Sequence, residues 1–297
     1  MSTADLPINT ADLTAREAWA KPPQARTFAD VQAILGGIPL SHIFAQPTPG
    51  FATQHDVEQV SKAGIACELR DGFLISPQPV EGLGRDQRLL TLADYQLLLF
   101  DIPAHRLLAF PAPGSADIED CEDTKDSIGV VCELFDGVLV GKPMGYLEAR
   151  LAHILGHLFE IYLDSNPIGI ANGPDGTFRL PWKKVRAPDV CFVEFARIPG
   201  GELTDESIPS IVPNLVVEVL SKSNRRGEMQ RKLEDYFAAG VQLVWLIHPT
   251  KRTATVYTAI DACQEIGVDG ILSGESVLPG FEVNLADLFT KALGKRT

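Results

Sequence analysis

The sequence predicts an α/β protein in which a mixed sheet flanked by helices is preceded by a duplicated helix/hairpin unit. Three observations carry that reading. The chain matches itself at a shift of 64 residues over its N-terminal half; a long stretch of helical periodicity begins at Tyr146; and the short apolar runs beyond it include two that each carry one acid.

The self-match comes first along the chain. Thr27, Asp30, Gln32, Ile38, Pro39 and Gly50 return as Thr91, Asp94, Gln96, Ile102, Pro103 and Gly114. After one inserted residue, Cys67-Glu68-Leu69-x-Asp71-Gly72 returns as Cys132-Glu133-Leu134-x-Asp136-Gly137. Each copy reads as a short helix, an Ile-Pro stop, an extended Pro-x-Pro-Gly turn, a second helix and a hairpin turned at Asp-Gly, where glycine supplies a positive φ. The expected layout is a tail over 1–26, a first copy over 27–76, a linker over 77–90, the second copy's lead-in over 91–131, the main domain over 132–290, and a tail over 291–297. Two copies are too few for a solenoid, so the first reads as an accessory to the second.

In the main domain, Leu147, Leu151, Ile154, Leu158 and Ile161 alternate at spacings of four and three, which predicts a helix from Tyr146 to about Ser165. Its Glu148 stands near the N-terminus, where a carboxylate suits the helix dipole. His153 and His157 make an i, i+4 pair, but the segment lacks the glutamate of a HExxH zinc protease, so they read as helix-face histidines. The segment 168–195 reads as strand, Asp-Gly turn, strand, and PNLVVEVLS as a short buried strand. GEMQRKLEDYFAAG is a helix closed by Gly240, with Met229, Leu233, Tyr236 and Phe237 on its apolar face. Two strands follow, VQLVWLIHP and TATVYT.

Composition limits the function classes. Asp and Glu number 39 against 26 Lys and Arg, a net charge of -13, so any contact with nucleic acid must come from a local basic patch or bound cations. No apolar run approaches the ~18 residues of a membrane span, and the chain reads as cytoplasmic, with no membrane partner. Five cysteines without a CxxC pair indicate neither a disulfide framework nor a zinc cluster. There is no GxGxxG or GxxxxGK[ST] for a nucleotide and no GxSxG for a serine hydrolase.

The chemistry-bearing residues are the acids inside apolar strands. Asp189 shares a strand face with Cys191 and Val193, and Glu218 shares one with Val216 and Leu220. A carboxylate there costs several kcal/mol unless it is paired or ligates a metal. Two such acids on neighbouring strands suit a hard cation; alternatively each pairs with Arg186, Lys183, Lys184 or Lys222. Lys232 falls at the edge of its helix's apolar stripe, placed either to reach water or to turn toward the two acids, and Glu228 offers it an i, i+4 ion pair.

These residues resemble the Uma2 family of endonucleases, a branch of the PD-(D/E)XK restriction-endonuclease-like superfamily. The resemblance lies in CELFDGVLV at 132, PMGYLEARLA at 143, the PDV of residues 188–190, VEVLS at 217, KLEDYFAAGV at 232 and VLPGFEVNLADLF at 277. It implies a restriction-endonuclease-like core and a Mg²⁺-dependent endonuclease that hydrolyses DNA phosphodiester bonds, with Mn²⁺ as an alternative ion and a homodimer allowed. By that resemblance Asp189 and Glu218 hold the metal, Glu148 is a further ligand candidate with Glu133 behind it, and Lys232 is the catalytic lysine. The superfamily lysine belongs two residues after the glutamate, where this chain has Leu220; Lys232 is preferred to Lys222 as its replacement. Arg186, Lys222 and Arg225 are phosphate-binding candidates. The alternative is a catalytically degenerate member that keeps the fold as a binding or scaffold protein.

Overall fold

The computed structural model describes residues 26–80, 86–142 and 144–294. The chain divides into two compact units that part between Gly141 and Lys142. The hairpin of residues 132–141, assigned by sequence to the main domain, therefore belongs to the first unit.

In the first unit, α1 (Phe28–Ile34) and α2 (Gln54–Lys62) precede a hairpin of β1 (Glu68–Arg70) and β2 (Phe73–Ile75). Then α3 (Leu92–Leu98) and α4 (Ile118–Ile128) precede a second hairpin of β3 (Cys132–Phe135) and β4 (Val138–Gly141). A seven-residue helix has more end than middle, so its caps matter. In α1 the Asp30 amide donates to the Thr27 hydroxyl at 3.2 Å, and the Asp30 carboxylate accepts from the Thr27 amide at 2.8 Å. Thr91 and Asp94 repeat that box in α3 at the same two distances.

Both hairpins turn on glycine at positive φ, +81° at Gly72 and +79° at Gly137. The Gly72 carbonyl accepts from Gly50 and Ala52 at 3.0 and 2.8 Å, and the Gly137 carbonyl from Gly114 and Ala116 at 2.8 and 2.9 Å. A Cβ at either glycine would lie 2.3 or 2.5 Å from the facing glycine's carbonyl oxygen. Other backbone bonds run crosswise. Phe28 donates to Leu107 at 3.0 Å while Leu92 donates to Ile43 at 2.9 Å, and Ala109 donates to Arg26 while Ala45 donates to Leu90. Phe28, Ile43, Phe73, Leu92, Leu107 and Phe135 lie in the apolar core beneath.

The expected linker over 77–90 is partly packed structure. Val80 is buried with Phe44, Val60 and Leu74, Gln87–Leu89 form a 3₁₀ turn, and Leu90 is buried; residues 81–85 lie outside the described residues. The expected N-terminal tail lies outside them as far as residue 25.

The second unit opens with α5 (Tyr146–Ser165), followed by β5 (Gly169–Asn172), β6 (Phe178–Leu180), β7 (Lys184–Arg186), β8 (Val190–Glu194) and β9 (Leu215–Val219). After α6 (Arg226–Ala239) come β10 (Leu243–His248), β11 (Thr253–Ala259), β12 (Ala262–Ile266), β13 (Ile271–Ser273), β14 (Glu282–Asn284) and α7 (Leu285–Ala292). The last helix runs into the expected C-terminal tail, with Ala292 buried; residues 295–297 lie outside the described residues.

The segment 168–195 differs from its expected strand, turn, strand layout. It holds four short strands rather than two, because β5 pairs with β8 while β6 and β7 form their own hairpin. That hairpin turns through Trp182 and Lys183, both at positive φ, so no glycine or asparagine marks it in the sequence.

The main sheet has the order β12-β11-β10-β9-β8-β5. Only its β9/β10 pair is parallel among these neighbours, and α6 supplies the crossover that parallel strands need. Side chains alternate across it. Val190, Phe192, Val217 and Trp245 join the core formed with α5 and α7, while Cys191, Val193, Val216 and Val244 meet Met229, Leu233 and Tyr236 of α6. By the same alternation Asp189 and Glu218 belong to the α6 face.

Candidate active site

The site is built where the C-terminal end of β9 meets α6. Glu218 is 4% exposed and Lys232 3%. The Lys232 ammonium lies 2.6 Å from Glu218 Oε1, and the Tyr236 hydroxyl donates to the same oxygen at 2.5 Å. Lys232 and Tyr236 are one helical turn apart, so a single face of α6 presents both to β9. Tyr236 is a functional group the sequence reading placed only as an apolar one. The available signal was general: a buried tyrosine hydroxyl needs a partner.

Asp189, 5% exposed, sits just ahead of β8. Its Oδ2 accepts the backbone N–H of Val219, the residue after Glu218, at 2.6 Å. Its Oδ1 lies 2.8 Å from the ammonium of Lys142. Lys142 was not among the partners the sequence offered, and no local motif points to a lysine 47 residues upstream. The lysine also donates to the carbonyls of Pro174 at 3.2 Å and Ala187 at 2.5 Å. Beside it, burial pushes the Cys191 thiol up to about 12, against the Asn172 backbone and the Lys142 charge, so this sulfur stays protonated and is no nucleophile.

The remaining candidates have surroundings of their own. Arg186 is fully buried, with its guanidinium bound to Asp235 of α6 and to the Val185 carbonyl at 2.8 Å. In this arrangement it is enclosed and anchors β7 to α6. Lys222 is exposed in the turn after β9, and Arg225, half-buried, stands at the N-cap of α6, its amide donating to Glu228 and its guanidinium to the Lys222 carbonyl. Glu148 is half-buried in the first turn of α5 and folds back over Gly145, where an added Cβ would meet its Oε2 at 2.2 Å. Glu133 is buried in the first unit. His153 and His157 are both exposed on α5.

Among the described residues no group of three or more His, Cys, Asp or Glu side chains gathers as a metal site, so Glu148 does not join Asp189 and Glu218 in one. The donor set at the core of the site is therefore a pair of carboxylates. All-oxygen donors fit Mg²⁺ or Mn²⁺, and a small hard cation commonly takes one or two carboxylates and completes its shell with water and substrate phosphate. Also among the described residues, no helix is long and apolar enough to cross a membrane.

A family described as "Uma2: Putative restriction endonuclease" matches residues 118–286. The fold is similar to the crystal structure of a "putative nuclease belonging to DUF820" from Anabaena variabilis ATCC 29413. That likeness has a TM-score of 0.50 at 20% identity and covers 56% of this chain and 97% of the other. No curated protein matches the chain.

Proposed function

Because the chain belongs to the Uma2 family, described as putative restriction endonucleases, we propose that it is a Mg²⁺-dependent endonuclease that hydrolyses phosphodiester bonds of DNA. The observation that carries the reading is the pair of buried acids on one sheet face, Glu218 holding both Lys232 and Tyr236 and Asp189 braced on the neighbouring strand's backbone. Asp189 and Glu218 would hold the cation. When bound, it would polarise the phosphoryl group and lower the pKa of a coordinated water. Tyr236 and the Val219 amide fix the two carboxylates, so their positions need no rearrangement as charge develops. Lys232 is the catalytic lysine of this reading: its ammonium, beside Glu218, donates to the attacking water or to the oxygen on which negative charge accumulates. Exposed Lys222 and half-buried Arg225 at the edge of α6 supply local positive charge to a backbone phosphate despite the acidic chain.

The test is cleavage of supercoiled and linear DNA with Mg²⁺ or Mn²⁺ by the wild type, Asp189→Asn and Glu218→Gln. Cleavage that falls at least about 10²-fold in both variants is expected; equal cleavage by all three overturns the assignment. One observation favours a second reading, a non-catalytic member used as a scaffold. Asp189, Glu218 and Lys232 are nearly enclosed, as internal ion pairs would be. Wild type that neither cleaves DNA nor takes up Mn²⁺ selects that reading.

The first unit is, on the same footing, a tandem pair of one helix-and-hairpin segment. The capping boxes, the glycine turns and the crosswise backbone bonds all recur at the sequence shift of 64, or 65 past the inserted residue.

A further inference from the structure

We propose that Lys142 is a built-in counter-charge of the site. Its ammonium, fixed against Asp189, keeps metal affinity low in the free protein, so that the ion binds tightly only together with a phosphodiester. The inference rests on the metal-dependent reading above and concerns how that site is regulated.

An ammonium has three N–H donors and no acceptor. Lys142 has three acceptors around it, Asp189 Oδ1 at 2.8 Å and the carbonyls of Pro174 and Ala187 at 3.2 and 2.5 Å. Its side chain is 11% exposed. Two of those acceptors are backbone oxygens, one between β5 and β6 and one between β7 and β8, so the fold itself places them. A lysine held only by the acid would swing away when a cation took its place. This one stays, because the two carbonyls keep it where it is.

The consequence is electrostatic. Asp189 has the Lys142 ammonium beside it and Glu218 that of Lys232, so each acid already faces a cation before any metal enters. A divalent ion entering the site adds positive charge next to an ammonium that cannot leave, in surroundings that screen poorly. A phosphodiester brings the negative charge that relieves this repulsion. Ion and phosphate therefore favour each other's binding, and the coupling is reciprocal. Lys142 acts through Asp189 and touches neither the substrate nor the reacting atoms in this scheme.

The experiment is calorimetric titration of Mn²⁺ into metal-free wild type, Lys142→Gln and Lys142→Arg, with and without a dithymidine phosphodiester dinucleotide. Lys142→Gln removes the charge and keeps donors for the carbonyls. It is expected to bind Mn²⁺ about tenfold tighter or more, and Lys142→Arg to match wild type. The dinucleotide should tighten Mn²⁺ binding by wild type and do so less for Lys142→Gln. Equal or weaker binding by Lys142→Gln, with a melting curve in EDTA like that of wild type, overturns the inference and leaves the metal site standing. If Lys142→Gln does not fold, the wild-type arm decides, and Mn²⁺ affinity indifferent to the dinucleotide overturns it. Absence of Mn²⁺ binding in wild type, Lys142→Gln and Asp189→Asn alike overturns the metal reading itself, and this inference with it.

Discussion

Replacing Arg186 with methionine separates an internal role for this residue from a phosphate-binding one. Its guanidinium has no exposed surface, and the Asp235 carboxylate it binds is 11% exposed. Removing one partner of a buried ion pair leaves the other as an uncompensated charge, at a cost of about 3–5 kcal/mol. Arg231, whose Nε lies 3.7 Å from the second Asp235 oxygen, is one turn away and 35% exposed. It offsets part of the loss, so the low end of that range, about 3 kcal/mol, applies. In a domain of this size each kcal/mol moves Tm by about 2–4 °C, so Lys142–Thr297 should melt about 6–12 °C lower. The double variant Arg186→Met/Asp235→Leu removes both members of this pair and should recover part of the loss. Thermal melts of the three proteins, followed by circular dichroism, read this directly. An unchanged Tm in Arg186→Met, coupled with weakened DNA binding, refutes the reasoning and returns Arg186 to the phosphate.

Two further perturbations test neighbouring claims. Tyr236→Phe deletes the donor to Glu218 Oε1, and urea denaturation should show a loss of about 1.5–3 kcal/mol, as for hydrogen bonds to charged groups; a change under about 0.5 kcal/mol means the hydroxyl contributes nothing to holding the carboxylate. In α4, burial pushes the Asp120 carboxyl up to about 6, only partly opposed by the Asp117 amide. The folded chain therefore keeps a proton that the unfolded chain has released, and this group's contribution to stability falls as pH rises from about 4 to about 6. Asp120→Asn, which retains an acceptor for the Asp117 amide, should raise Tm at pH 7.5 and leave it unchanged at pH 3.5; the same gain at both pH values rules out titration as the cause.

Local chemistry made much of the fold legible. The apolar spacing placed α5 over Tyr146–Ser165, and Gly240 at φ +100° ends α6 as a left-handed cap. Within α5 the buried stripe departs from that spacing: Ile161 is exposed while Leu155 and Phe159 are buried. An alternation of four and three repeats every 3.5 residues, and a helix of 3.6 turns that stripe away from the core over its length. Strand parity set Asp189 on the face of Cys191 and Val193 and Glu218 on that of Val216 and Leu220, and the helical wheel set Lys232 at the edge of its apolar stripe, because both arguments need only local periodicity. The rest depends on distant chain segments. Lys142 reaches Asp189 across an intervening helix and three strands, Arg186 finds Asp235 49 residues on, and the turn at Trp182 and Lys183 uses residues that rarely take positive φ.

On the tandem-pair reading proposed above, the crosswise bonds of the first unit have the form of a twofold dimer folded into one chain. Phe28 to Leu107 and Leu92 to Ile43 are the same contact made twice. A contact of that kind is isologous, each patch meeting its own counterpart, and two members saturate it. Two consecutive segments thus close on each other and leave no copy of the patch for a third. A chain shortened to one segment would carry the patch with no counterpart of its own, and only a second molecule could supply it. Its folding would then depend on concentration, whereas covalent succession makes that of the full chain independent of it.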